Sequence, residues 1–499
     1  MTNSDNLLHL EGLTEREREY ALQILSELSN NKSDTYTDLL YADYKEIPVD
    51  IETFLTDDNY LGQAWKDATG KLKLYDFWLG NLKEIFPTNI DTEYNTLLES
   101  GARGIGKAQP LDAKVMTPAG YRLMRDLKVG DQVIGADGKP HPIIGIFPQG
   151  VKDVYRITFT DGSSTESCKE HLWNILPRNV AKYTKTIELQ ELFDKPLYKL
   201  TKDNYKERKY YIPMTAPIEF PAQIHYIHPY VLGCLLGDGH IGNNTFSMTS
   251  ADIEIIDRMQ YFMDIYTPNY FLNKINCDKY GYTIKQRVKR FKIGEHNNPC
   301  ALPNEYLEEL KRLELVVSSK DKFIPYDYLY DSIDNRIELL RGLMDTDGTV
   351  TKAGNSIQFN TVSEQLRDDI IQLVESLGGS AWYSKTQGAY FNKKLDKKII
   401  CSISYTINMR LPKDINPFYL SRKASRINPR SNTPSRAIES IEYSRKAECK
   451  CILLDSADHL YLTDHCIVTH NSEVACGCVG YSCKKVKFKG IYSNAGRYF

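Results

Sequence analysis

No stretch of this 499-residue chain approaches the roughly 18 consecutive apolar residues that a membrane-spanning helix requires, and no secretory leader is recognisable. An excess of one charge is also missing. With 63 Lys and Arg against 65 Asp and Glu, the net charge is -2, so there is no global signature of nucleic-acid binding and any basic surface must be local. The 11 cysteines lack a regular disulfide framework and are expected to be free thiols in a reducing cytoplasm. Cys449-x-Cys451 and Cys476-x-Cys478, with Cys483, also lack the paired C-x₂₋₄-C spacing of structural zinc sites. One hydroxyl is conspicuously absent: GARGIGKA at 101–108 has the form of a phosphate-binding loop through Gly101, Gly106 and Lys107, but Ala108 stands where a Mg²⁺-binding Ser or Thr belongs. A candidate for that serine occurs far downstream, as Ser472 in THNSEVA.

A chain of this length is long for one core, and two to four domains are expected. Residues 14–30 open with Thr14 and Glu17 as a capping box and place Ala21, Ile24, Leu25 and Leu28 on one helical face. NTLLES at 95–100 reads as a short strand entering the loop, the context a phosphate loop needs. From 108 the texture becomes short β segments punctuated by Asp-Gly and other turn signals, and it returns at 437–471. Between lies a long mixed α/β block, which suggests one β domain interrupted by another, an insertion that an exposed loop tolerates.

The block repeats itself. YVLGCLLGDGHIG (230–242) and LLRGLMDTDGTV (339–350) each run an apolar helix into Asp-Gly, and similar helix openings follow at 249–257 and 361–370. If Gly233 and Gly342 let the two helices touch, Asp238 and Asp347 converge near a pseudo-twofold axis, where two carboxylates can hold a divalent metal. These motifs resemble the LAGLIDADG homing endonucleases, whose two motif helices form the interface and each present a metal-binding aspartate. The resemblance implies Mg²⁺, double-stranded DNA as the target, and a catalytic lysine at Lys322 in KFIP, with Lys423 as a candidate for the other half. Two basic stretches are expected to contact DNA as strands: 284–292, with Lys285, Arg287 and Lys289 on one face, and 421–436, with five basic residues in sixteen.

The β-rich flanks carry different chemistry. The side-chain amide of Asn471 can attack its own carbonyl and cut the Asn471–Ser472 bond, with His470 as acid or base. Together with CKEHLW at 168–173, this resembles an intein, a self-splicing insert with the all-β hedgehog/intein (HINT) fold. The resemblance covers 108–210 and 425–471 for splicing and 211–424 for the endonuclease. Most inteins start with Cys or Ser, and Ala108 cannot serve as that nucleophile. Either an original thiol has been replaced, giving a splicing-dead precursor, or the chain is of the class 3 type, marked by Trp173, Cys451 and Thr469. On the second reading Cys451 attacks the Lys107 carbonyl, His171 polarises the Lys107–Ala108 peptide, Ser472 takes the acyl group, Asn471 cyclises, and His459 assists, with no cofactor.

Joining Lys107 directly to Ser472 regenerates an intact loop from Gly101, Gly106, Lys107 and Ser472. IPVDIETFLTDDNYLG upstream resembles the large subunit of a phage terminase. That resemblance implies a P-loop α/β ATPase in flanks 1–107 and 472–499, using ATP, Mg²⁺ and other terminase components in the cytoplasm of a phage-infected cell, and no membrane. The short flank 472–499 leaves no room for a Walker B acid. A different class of reading is a nucleotide-binding ATPase with a permanent DNA-binding insertion and no splicing.

Overall fold

The computed structural model describes residues 102–103, 108–177, 184–242, 246–276, 278–287, 290–291, 300–301, 304–354, 356–392, 397–428, 434–456, 458–470 and 473–474. The helix expected at 14–30, the strand at 95–100, and Gly101, Gly106, Lys107, Lys289, Asn471 and Ser472 lie outside them. The chain divides into two units, 1–105 with 473–499 and 106–472. In the first, Ala102–Arg103 pairs antiparallel with Glu473–Val474.

The second unit begins with an all-β layer. Its strands include β1 (Gln109–Pro110), β2 (Pro140–Phe159), β3 (Ser164–Cys168), β4 (Leu172–Pro177) and β5 (Tyr210–Ile212). The turn between β2 and β3 is the Asp161-Gly162 signal: Gly162 adopts φ +82°, and Phe159 N–H donates to Ser163 O at 2.9 Å. Late in the chain, β6 (Arg436–Leu454), β7 (Leu460–Thr463) and β8 (Ile467–His470) rejoin this layer. Strand β6 lies between β2 and β5 in an eight-stranded sheet, while β8, β7, Lys114–Thr117 and Gly120–Leu123 form a four-stranded one. Because Tyr211 pairs with both Leu176 on β4 and Ala437 on β6, the chain between 212 and 436 leaves the layer and returns to the adjacent strand.

That intervening block is built twice. Its motif helices are α1 (Pro229–Leu236) and α2 (Ile333–Thr346). After α1 come strands 239–241 and 246–249, helix Ile253–Tyr266, and strands 270–274 and 281–286. After α2 come strands 348–350 and 357–361, helix α3 (Glu364–Ser376), and strands 380–392 and 397–410. Both four-stranded sheets connect in the same order. The local reasons are legible: Pro229 opens α1 and His228 accepts from Tyr230 N–H, while Ser332 and Ser363 cap α2 and α3 through their hydroxyls. Leu232, Leu235, Leu339 and Leu343 are fully buried in one core shared by both halves. Gly233 and Gly342 meet at the crossing: an added Cβ would come within 2.3 Å of Leu339 O or 2.1 Å of Tyr230 O, respectively. Only glycine permits this approach.

Candidate functional site

The first candidate centre surrounds Ala108, which is buried with Val154, Cys168 and Cys449. Ala108 N–H donates to Cys168 Sγ at 3.1 Å, and Ala108 O accepts from Cys168 N–H at 3.0 Å. The residue after the 107/108 peptide is therefore gripped from both sides. Gln109 pairs antiparallel with Lys450 and Pro110 with Cys449; continued by one residue, that register sets Cys451 opposite Ala108. Cys449 and Cys451, two apart on β6, share a face. The phenol of Tyr461, whose pKa is pushed well above the usual range chiefly by burial, has Cys451 and Cys168 as neighbours and donates to Gln109 Oε1 at 2.6 Å.

From the other side, β8 pairs with β7 and brings Thr469 Oγ1 to 2.6 Å from His171 Nε2. Trp173 is fully buried with its ring 5.7 Å from the His171 ring. Buried His470 pairs with Leu460, and its ring lies 6.1 Å from that of His459, whose backbone is left-handed at φ +54°. The described residues expected around the junction thus gather in one neighbourhood. Cys168 and Tyr461 are additional members that sequence reasoning did not assign; the first was visible three residues before His171.

The second candidate centre lies at the ends of α1 and α2. Lys322 Nζ donates to the carbonyls of Leu235, Leu236, Gly237 and Gly239 at 2.8–3.1 Å. Lys423 Nζ does the same at the other helix, to Met344, Asp345 and Thr346 at 2.7–3.0 Å. Each ammonium sits where helix carbonyls lack intrahelical partners. Burial raises the pKa of Asp347 to about 6, with Asp238 adding repulsion; Asp238 is also raised by burial, against the pull of Lys423 and Lys322. Burial lowers both lysines to about 8. Two carboxylates and two ammonium groups therefore interact across the pseudo-axis. The mutual strain of the carboxylates, all-oxygen donors, suits a hard divalent cation. Among the described residues no group of three or more His, Cys, Asp or Glu converges as a metal site, so the remaining ligands would be carbonyls, water or substrate.

Of the two basic stretches, the second requires correction. In the first, Lys285 and Arg287 are both exposed, with Arg287 just beyond the strand and paired with Asp264 at 2.7 Å. The described residues of 421–436 do not form a ribbon: Ser421–Ala424 is a short helix, Arg422 pairs with Asp252, Lys423 is buried under α2, and Arg436 is buried between Asp161 and Glu375. Counting basic residues cannot reveal that their partners are distant carboxylates and carbonyls.

Residues 323–422 match the homing endonuclease family, and the chain is accordingly an enzyme carrying a homing endonuclease domain. The replicative DNA helicase DnaB of Mycobacterium intracellulare is 28% identical over 390 residues, 74% of this chain and 59% of that protein. The gp41-1 intein is 23% identical with a TM-score of 0.16, over 21% of this chain and 73% of that one. The homing endonuclease I-DmoI, in complex with DNA and Mn, is 13% identical with a TM-score of 0.22, over 37% of this chain and 89% of that one. Among the described residues no helix is long and apolar enough to cross a membrane.

Proposed function

We propose that residues 108–471 are an intein of the internal-cysteine type: β-domain parts 108–212 and 436–471 excise the insert, and the block between them cleaves double-stranded DNA. The register that sets Cys451 opposite Ala108 carries the reading. Deprotonated Cys451 attacks the Lys107 carbonyl, forming a C–S bond; the Lys107–Ala108 C–N bond breaks, and the Ala108 nitrogen takes a proton, with His171 as donor. Cys168 fixes that nitrogen beforehand. Ser472 Oγ then displaces the Cys451 thiolate, and its proton is lost to a base. The Asn471 side-chain nitrogen attacks its own carbonyl and expels the Ser472 amine, protonated by His470. That amine finally attacks the ester, leaving a Lys107–Ser472 amide.

In the inserted block Asp238 and Asp347 would hold a divalent cation, Mg²⁺ on this reading, which would supply charge stabilisation at the phosphate and activation of water. Lys322 and Lys423, held beside the carboxylates, supply positive charge. The spliced flanks form a P-loop ATPase. Its terminase character rests on the resemblance of 47–62; a helicase is the second reading, from the DnaB match. The share of the chain in that match, 74%, is close to the share that residues 108–471 take up, so the match speaks mainly for the insert.

Mass spectrometry of the folded chain tests splicing: the excised segment 108–471 and a ligated product of segments 1–107 and 472–499 should appear from the unaltered sequence. Cys451→Ala should abolish both, while Ala108→Cys should be unnecessary. An intact full-length band that splices only after Ala108→Cys would establish the splicing-dead alternative.

A further inference from the structure

One ionic cluster joins the two parts of the second unit. Arg436, 2% exposed at the start of β6, donates from Nε to Asp161 Oδ2 at 2.7 Å, from Nη2 to Glu375 Oε1 at 3.1 Å, and from Nη1 to His465 O at 3.0 Å. Asp161 belongs to the turn between β2 and β3, whereas Glu375 is in the last turn of α3, inside the stretch that matches the homing endonuclease family. Glu375 is also 2% exposed, and its second oxygen lies 3.5 Å from His465 Nδ1. The guanidinium thus has one carboxylate from each part and a carbonyl from a third segment.

That third segment leads into β8. His465 and Cys466 are consecutive non-glycine residues with φ of +55° and +49°, a conformation that persists only where surrounding contacts impose it. Two contacts do so: Arg436 holds the His465 carbonyl, and Tyr121 Oη accepts from Cys466 N–H at 2.9 Å. Four residues after His465, Thr469 meets His171, and His470 follows. The direction and register of β8 therefore depend on a turn whose anchor is balanced by Glu375. The same end of α3 is fixed further by Ile218 N–H donating to Ser376 O at 2.9 Å.

We propose that Glu375, a residue of the endonuclease part, is a positioning residue for splicing: through Arg436 it holds the 465–466 turn so that β8 delivers His470 to the carboxy-terminal junction and keeps Thr469 on His171. The inference rests on the splicing reading above. A carboxylate removed from a buried cluster leaves the arginine undercompensated, so the cluster relaxes and the turn loses its anchor. The defect should be larger at the carboxy-terminal step, which His470 serves, than at the amino-terminal step, where His171 loses only its Thr469 partner and the grip of Cys168 on Ala108 remains.

The test measures two events in the full chain: release of flank 1–107 by added dithiothreitol, and release of flank 472–499, both by mass spectrometry. Glu375→Ala should slow carboxy-terminal release about tenfold while slowing thiol-induced release no more than about threefold, and Glu375→Asp should recover most of the loss. Arg436→Ala should show the same selectivity, and adding Glu375→Ala to it should slow the step less than twofold more. Equal loss of both events in Glu375→Ala could reflect misfolding, so the isosteric Glu375→Gln decides that case: a selective defect supports the proposal, and an equal loss or none overturns it. Multiplicative effects in the double variant also overturn it. If the unaltered chain releases neither flank, the splicing reading itself fails, whereas splicing indifferent to Glu375 sinks only this inference.

Discussion

Asp347→Asn should make the metal-free protein more stable at pH 8 and leave it unchanged at pH 4. The carboxyl of Asp347 is raised from an ordinary value near 3.8 to about 6, first by burial and then by the charge of Asp238. The folded state therefore binds this proton more tightly than the unfolded one, and the stability it contributes is complete below pH 4 and lost as pH rises through 6. A shift of two units corresponds to about 3 kcal/mol, trimmed to about 2 kcal/mol by partial solvent access. Asparagine resembles the protonated acid, so the variant escapes the loss. Urea unfolding in EDTA at pH 4, 5, 6 and 8 measures the gap, which should open between pH 4 and 6. Adding Mg²⁺ at pH 8 should close it from the other side: a ligand at 100 times its Kd stabilises the wild type by about 2.7 kcal/mol, and the variant, with one carboxylate fewer, by less. A variant less stable than wild type at pH 8 in EDTA, or a gap already present at pH 4, would refute the charge argument.

Other perturbations follow from contacts already described. Gly233→Ala forces a Cβ to 2.3 Å from Leu339 O, so the motif helices must separate; a loss of about 1–3 kcal/mol in urea unfolding is expected, with DNA cleavage falling more steeply than stability because both carboxylates move. Cys168→Ala removes the acceptor for Ala108 N–H and should slow thiol-induced release of the amino-terminal flank while leaving DNA cleavage intact, as read by mass spectrometry and a plasmid nicking assay. An unchanged release rate would exclude Cys168 from positioning the scissile peptide.

Much of the site was legible because its chemistry demands uncommon residues in local patterns. The Asp161-Gly162 hairpin follows from the need for positive φ, and the paired Asp-Gly helix ends announced the duplication before Gly233 and Gly342 were seen in contact. What stayed hidden depends on partners remote in sequence. Pro148 and Gly150 have the composition of a turn, yet β2 runs through them for 20 residues by a register shift opposite Cys449 and Lys450. Arg436 reads as a DNA-facing charge, and it is buried against Asp161 and Glu375, 275 and 61 residues away.

The fate of Arg436 also bears on how the inserted block can be lost. Because Tyr211 and Ala437 are already paired across the gap, deleting 213–435 leaves the splicing layer's strand order intact and requires only a short link between neighbours. The energetic obstacle is Arg436, which would keep Asp161 but lose Glu375, and with it the balance of a cluster built from both parts. Replacing Arg436 and Asp161 together by apolar residues removes the charges but also the hold on the His465 carbonyl. A deleted form carrying only the linker should therefore fold yet splice slowly at its carboxy-terminal junction, and selection for faster splicing should recover substitutions around residues 161, 436 and 465. Recovered changes confined to the linker would show that the ionic cluster has no part in the coupling.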